Sequence, residues 1–173
     1  NTPVVPIMQA LYAGFAKLAA KPQELNAAYL LSQSIVVAIA LPIATVVSAF
    51  AEPIVLLALG KEWLLAAIVI QVLAPVFAIQ MMAGPAQSVA MAKGETRRLF
   101  RRDVLMLAVR LPLIVLGLFL GGFAGVVLAR VFSGLFVIWQ NLLLIRTLTG
   151  ISVSVQVLKP WRSFASCIFL YAV

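Results

Sequence analysis

Histidine is absent from this chain of 173 residues, cysteine occurs once, and acidic residues number 5 against 13 Lys and Arg. Each shortage excludes something. Without histidine, the side chain that titrates nearest neutrality and the commonest metal ligand are both missing. A lone Cys167 can neither close an internal disulfide nor supply a cysteine metal set. The acids Glu24, Glu52, Glu62, Glu95 and Asp103 all fall in loops or at the ends of apolar runs. No two of them pair inside such a run, and no nucleophile lies beside a base, so acid–base and covalent catalysis lack their parts. The chain is therefore expected not to be an enzyme and to need no cofactor and no metal. A proton- or sodium-driven extruder normally wants an intramembrane Asp or Glu, and none is visible.

What is present is apolar. Hydrophobic residues make up 64% of the chain and charged ones 10%, with a mean hydropathy of +1.14. Soluble domains hold about 45–50% apolar residues, so the composition predicts an all-α polytopic membrane protein, a single membrane domain over residues 1–173. A span takes ~20 mostly apolar residues, and the length allows four or five. Complete spans are expected at 27–50, 64–92, 104–120 and 123–145, with truncated ones at 1–16 and 163–173. The chain is accordingly expected to be part of a longer transporter-like protein. Between the first two complete spans, residues 54–59 are too few to cross; Gly60 would stop that short helix and Trp63 would anchor it at the interface. Gly121-Gly122 reads as a tight turn. Residues 147–159 are expected to form a surface amphipathic helix with Leu148, Ile151, Val155 and Leu158 on its apolar face.

The net charge of +8 raises the possibility of nucleic-acid binding. Position argues against it, because the cations cluster at span ends. One set of loops holds Lys17, Lys21, Lys93, Arg97, Arg98, Arg101, Arg102, Arg146, Lys159 and Arg162; the opposite set holds Lys61. Loops rich in Lys and Arg stay in the cytoplasm, which predicts a multi-pass protein with that side inward. Anionic headgroups can also gain about 1 kcal/mol per cation from the loop 93–102.

Two cations break the pattern. Arg110 and Arg130 lie inside apolar runs with no acid beside them, and a charge at mid-bilayer costs at least ~2.5–3.5 kcal/mol on insertion scales. Arg110 is expected ~9 Å deep from the basic side at ~1.5 Å per residue. Arg130 is expected at a similar depth from the other side, leaving roughly 10 Å between them across a ~30 Å core. Guanidinium is also the better bidentate phosphate ligand. Two readings stay open: the arginines line a path for an anion, or each snorkels to its nearer interface, with Asp103 also placed to pair with Arg110. Gln80, Gly84, Gln87 and Ser88 share a helical face that could offer amides and a hydroxyl to a sugar, or serve helix packing. Pro42, Pro75 and Pro112 interrupt the backbone ladder inside three spans and are candidate hinges. Gly121 and Gly125 read as close helix packing, and Gln140 and Asn141 as solvated.

Several stretches together resemble a known family. They are Pro6 with Phe15-Ala16-Lys17-Leu18, Glu24-Leu25 with Ala28-Tyr29, Leu41-Pro42, and Ala51-Glu52-Pro53-Ile54-Val55-Leu56-Leu57 with Leu59-Gly60 and Trp63. Met91-Ala92-Lys93-Gly94, Arg110-Leu111-Pro112 and Gly121-Gly122 with Gly125 extend the likeness over nearly the whole chain. Their order is similar to the second half of polysaccharide flippases in the multidrug/oligosaccharidyl-lipid/polysaccharide exporter superfamily, of the O-antigen, colanic-acid and teichuronic-acid type. The resemblance implies a bacterial inner-membrane protein of 12–14 helices in two bundles around a cationic cavity. It implies a cargo of undecaprenyl-pyrophosphate-linked oligosaccharide, moved by alternating access, with Arg110, Arg130, Gln80 and Gln87 as candidate substrate contacts. Membrane lipids and polysaccharide polymerase or synthase components would be its partners. A cation-coupled drug exporter of the same superfamily and a non-transporting subunit of an assembly complex are the alternatives.

Overall fold

A computed structural model describes residues 13–159, and these are helical throughout with short connections. The expected spans at 1–16 and 163–173 fall wholly or largely outside them. Helix α1, Pro22–Ala49, opens with proline in its first turn, where a missing N–H costs nothing, and with Glu24 facing the positive end of the helix dipole. Its buried residues Leu25, Tyr29, Gln33, Val37, Leu41, Ala44 and Ser48 recur every three or four positions, which draws one inward stripe along the helix. The short α2, Ala51–Ala58, ends at Gly60, whose N–H closes onto the carbonyls of Val55 and Leu56.

One turn of tight helix at Lys61–Trp63 leads into α3, Leu64–Gln80. A second tight turn, Met81–Ala83, separates α3 from α4, Gly84–Ala92, which Pro85 begins rather than interrupts. Helix α5, Thr96–Thr149, follows, and Val153–Leu158 forms α6. Three stretches are long and apolar enough to cross a membrane: Pro22–Ala49, Lys61–Ala92 and Thr96–Thr149. The protein is an all-α membrane-embedded protein. Leu57, Phe119 and Leu120 stand 89%, 82% and 86% exposed, as lipid-facing side chains should.

The third stretch contains two passes. Fifty-four helical residues would run roughly 80 Å at ~1.5 Å per residue, far beyond a ~30 Å core. Gly122 resolves this with φ 54° and ψ −134°, a conformation that any side chain would strain, and the chain turns back on itself there. The two limbs then meet at bare backbone. A Cβ added to Gly117 would strike the Gly125 carbonyl, and one added to Gly125 would strike the Gly117 carbonyl. Gly125 therefore packs as expected, but its partner is Gly117; Gly121 has open space around its Cα.

Proline disturbs α3 less than its position suggests, because a neighbour compensates. Pro75 has no N–H to give the carbonyl of Gln71, and the Ser48 hydroxyl of α1 donates to that oxygen at 2.9 Å. In a medium without water, such a freed carbonyl needs a donor from another helix. The hydroxyl is buried and ties α1 to α3.

At the basic end, the start of α1, the end of α4 and the end of α5 converge. Asn26 Nδ2 donates to the Thr149 carbonyl at 3.2 Å, and Lys93 Nζ donates to that of Leu148. Phe15, Leu25, Tyr29, Ala86, Val89, Ile145 and Ile151 form the core there. The segment after α5 departs from expectation. Leu148 and Ile151 are buried, yet Val155 and Leu158 are exposed and Gln156 is fully enclosed. Gln156 turns inward because buried carbonyls wait for it: Nε2 donates to Leu142 and Ile151 at 3.3 and 3.1 Å.

Candidate functional site

The hairpin register sets where the two intramembrane arginines lie. Gly117 meets Gly125 near the turn, and Arg102 meets Asn141 near the basic end at 2.7 Å. Counting along the limbs from Gly122, Arg110 lies roughly 18 Å from the turn and Arg130 roughly 12 Å, at ~1.5 Å per residue. The register of those two pairs sets Arg110 level with residues 132–133, so its stagger from Arg130 is about 4 Å instead of the roughly 10 Å expected, because the first limb runs on to Thr96 and brings Arg110 deeper. With a ~30 Å core, both sit well inside it on facing limbs.

Arg110 lies on the face of its limb that turns toward the second. Arg102, Met106, Arg110, Leu113 and Gly117, spaced by three or four, are all less exposed than Val104, Leu107 and Leu111 on the other face. The alternative pairing of Arg110 with Asp103 is not formed. Asp103 accepts from Arg102 instead, at 2.7 Å from Nη2 and 3.0 Å from Nε. Among the described residues, neither Arg110 nor Arg130 is in an ion pair.

Arg130 has two neutral neighbours, both from α3. Its Nη2 donates to Gln80 Oε1 at 3.4 Å, and its guanidinium carbon lies 4.6 Å from the centre of the Phe77 ring. A ring face attracts a cation more strongly where water is excluded. Gly134 makes this arrangement fit: a Cβ there would collide with Gln80 Nε2 and touch Val76. Gln80 Nε2 is buried and has no acceptor among the described residues. The arrangement leaves two cations whose charge no carboxylate cancels, with a half-satisfied amide beside one of them. Such a group can receive an anion; it cannot receive a metal cation.

Of the other residues expected at the site, Gln87 is exposed while Ser88 next to it is buried. The tight turn at Met81–Ala83 falls between Gln80 and Gln87, so the two no longer follow one continuous helical face. Gln80 joins Arg130; Gln87 has no hydrogen bond to either arginine. Pro42, Pro75 and Pro112 each sit inside a helix that continues past them; the helix tightens at Met81–Ala83, and the backbone leaves helical geometry at Gly122.

Local patterning missed a polar cluster toward the basic end. Asn141, expected to be solvated, is 5% exposed: it accepts from Arg102 Nη1 and donates to the Val137 carbonyl at 2.8 Å. Its burial follows from a partner on the other limb, which no nearby sequence announces. Tyr29 donates to Gln156 Oε1 at 3.4 Å. Gln33 is enclosed, with neither amide atom bonded to the described residues, and faces a cavity of about 10 Å³ shared with Tyr29, Asn141 and Leu142. That is room for about one water molecule. The available signal was Gln33 itself, a polar residue on the inward stripe of a span.

Comparison with known proteins adds one likeness. Residues 3–68 match a family described as "Polysaccharide biosynthesis protein". The matched stretch takes in α1 and α2 and stops short of both arginines. No curated protein and no solved structure matches the chain.

Proposed function

We propose that the protein is a flippase that carries an oligosaccharide linked through pyrophosphate to a polyprenyl lipid across the bacterial inner membrane, for polysaccharide biosynthesis. The observation that carries this reading is the pair Arg110 and Arg130: two cations on facing limbs of one apolar hairpin, neither in an ion pair among the described residues. A cargo whose charge is a pyrophosphate supplies the anion that such a pair lacks, and arginine is suited to bind it bidentately. The likeness of residues 3–68 to polysaccharide biosynthesis proteins supports the same class of cargo.

In this reading, Gln80 holds Arg130 between visits of the cargo and gives it up on binding. The protein is a transporter and not an enzyme, and works by alternating access with its basic end in the cytoplasm. Pro42, Pro75 and Pro112 serve as hinges only insofar as neighbours such as Ser48 exchange hydrogen bonds with the carbonyls that proline frees. Replacing Arg110 and Arg130 together by Gln should abolish polymer at the cell surface while leaving the protein in the membrane. Polymer export at the wild-type level from the double variant would sink the assignment.

A further inference from the structure

Near the basic end of the hairpin, the two limbs of α5 spread into an open groove of about 260 Å³. Leu105, Leu143 and Leu144 give it an apolar floor, and Arg101, Arg102 and Gln140 stand on its walls. We propose that this groove binds one phospholipid with a monoanionic, hydroxyl-bearing headgroup, of the phosphatidylglycerol type. The site is separate from Arg110 and Arg130 and does not depend on their role.

Charge argues first. Arg102 is committed: its guanidinium spans Asn141 and Asp103, and the carboxylate of Asp103 offsets it. Arg101 is exposed and makes no ion pair or hydrogen bond with the described residues, so the groove carries one uncompensated positive charge. A phosphodiester carries one negative charge. A zwitterionic choline headgroup would bring a second cation toward a wall that already has two guanidiniums.

Depth argues next. Arg101 precedes Gly122 by about 21 residues, roughly 31 Å of helix, which is about the thickness of the hydrocarbon core. With the Gly122 turn at one interface, Arg101 reaches the phosphate level of the other, level with Leu143 and Leu144, while Leu105, four residues nearer the turn, meets acyl chains. The groove volume suits a headgroup and glycerol backbone, not a whole lipid, so the chains would leave along the hairpin's lipid-exposed surface.

The third argument is an unused acceptor. Gln140 Oε1 is buried in the wall without a donor among the described residues. Thr147 cannot serve it, since its hydroxyl donates to the Leu144 carbonyl at 2.7 Å. A glycerol headgroup brings hydroxyl donors that a choline headgroup lacks.

The test is native mass spectrometry of the protein released from nanodiscs holding equal phosphatidylglycerol and phosphatidylcholine. The expected spectrum shows one retained phosphatidylglycerol per protein, cut at least fivefold by Arg101→Gln. Arg97→Gln, on the same basic segment outside the groove, should leave it unchanged. Leu143→Trp, which fills the groove and keeps every charge, should lower it as well, and millimolar inorganic phosphate should not displace it. Equal losses from Arg97→Gln and Arg101→Gln would reduce the effect to general surface charge and overturn the site. Equal retention of the two lipids, or displacement by free phosphate, would overturn it too.

Discussion

The two ends of the α5 hairpin are held together by opposite kinds of contact. Near the turn, Gly117 and Gly125 bring bare backbones together, so the fit is one of shape and leaves no room for adjustment. Near the basic end, contact runs through side chains: Arg102 reaches Asn141 across the hairpin, and Gln156 of α6 ties the second limb through the Leu142 carbonyl. Side-chain hydrogen bonds can be exchanged for others at modest cost; a backbone contact without side chains cannot. Arg110 and Arg130 lie between these two regimes. A hairpin pinned at one end and hydrogen-bonded at the other is suited to open at its basic end while the turn stays closed.

The largest effect should come from breaking the pinned end. Gly125→Leu drives a side chain into the Gly117 backbone, and overpacking against a rigid wall costs about 3 kcal/mol or more. The expected outcome is a sharp drop in the thermal midpoint of the detergent-extracted protein, with little of it monodisperse; an unchanged midpoint would mean that the limbs do not touch there. Asn141→Leu attacks the other end. It removes an acceptor from a charged donor, worth about 1.5–3 kcal/mol, but Asp103 still holds Arg102, so the loss should fall at the lower figure in denaturant titrations.

A smaller and sharper test concerns Ser48 and Pro75. Ser48→Ala should cost about 0.6–1 kcal/mol, the usual worth of a hydrogen bond between membrane helices. In a Pro75→Ala background the restored N–H serves the Gln71 carbonyl, and the same serine change should cost nothing measurable. Additive losses in the double variant would show that the serine acts some other way. Least costly to stability is Gly134→Ala, expected below ~1 kcal/mol. It should displace the Gln80 amide from Arg130 and alter polymer export more than it alters the thermal midpoint.

Much of the fold was legible because membrane helices advertise themselves by length and by what interrupts them. Gly121-Gly122 announced a reversal, and Gly122 carries it because only glycine adopts that conformation without strain. Gly60 announced the end of α2 for a similar reason of local chemistry. The site was legible only in its charges. Arg110 and Arg130 stand out in any apolar window, yet their neighbours Gln80 and Phe77 come from another helix and were not both foreseen. Asn141 was misplaced for the same reason, since a polar residue at a span end usually faces headgroups, and Gln156 lies off the apolar face expected of residues 147–159. Here each meets a buried partner set by tertiary packing.

The proposed function requires that the paired intramembrane arginines select an anionic lipid-linked cargo. Flipping in proteoliposomes tests it most directly, comparing a pyrophosphate-linked oligosaccharide lipid with an uncharged analogue of the same chain and sugars. The account predicts at least tenfold faster movement of the charged lipid by the wild-type protein, and loss of that preference when Arg110 and Arg130 are both replaced by Gln. Equal rates for the two lipids in the wild type, or a preference kept by the double variant, would contradict it.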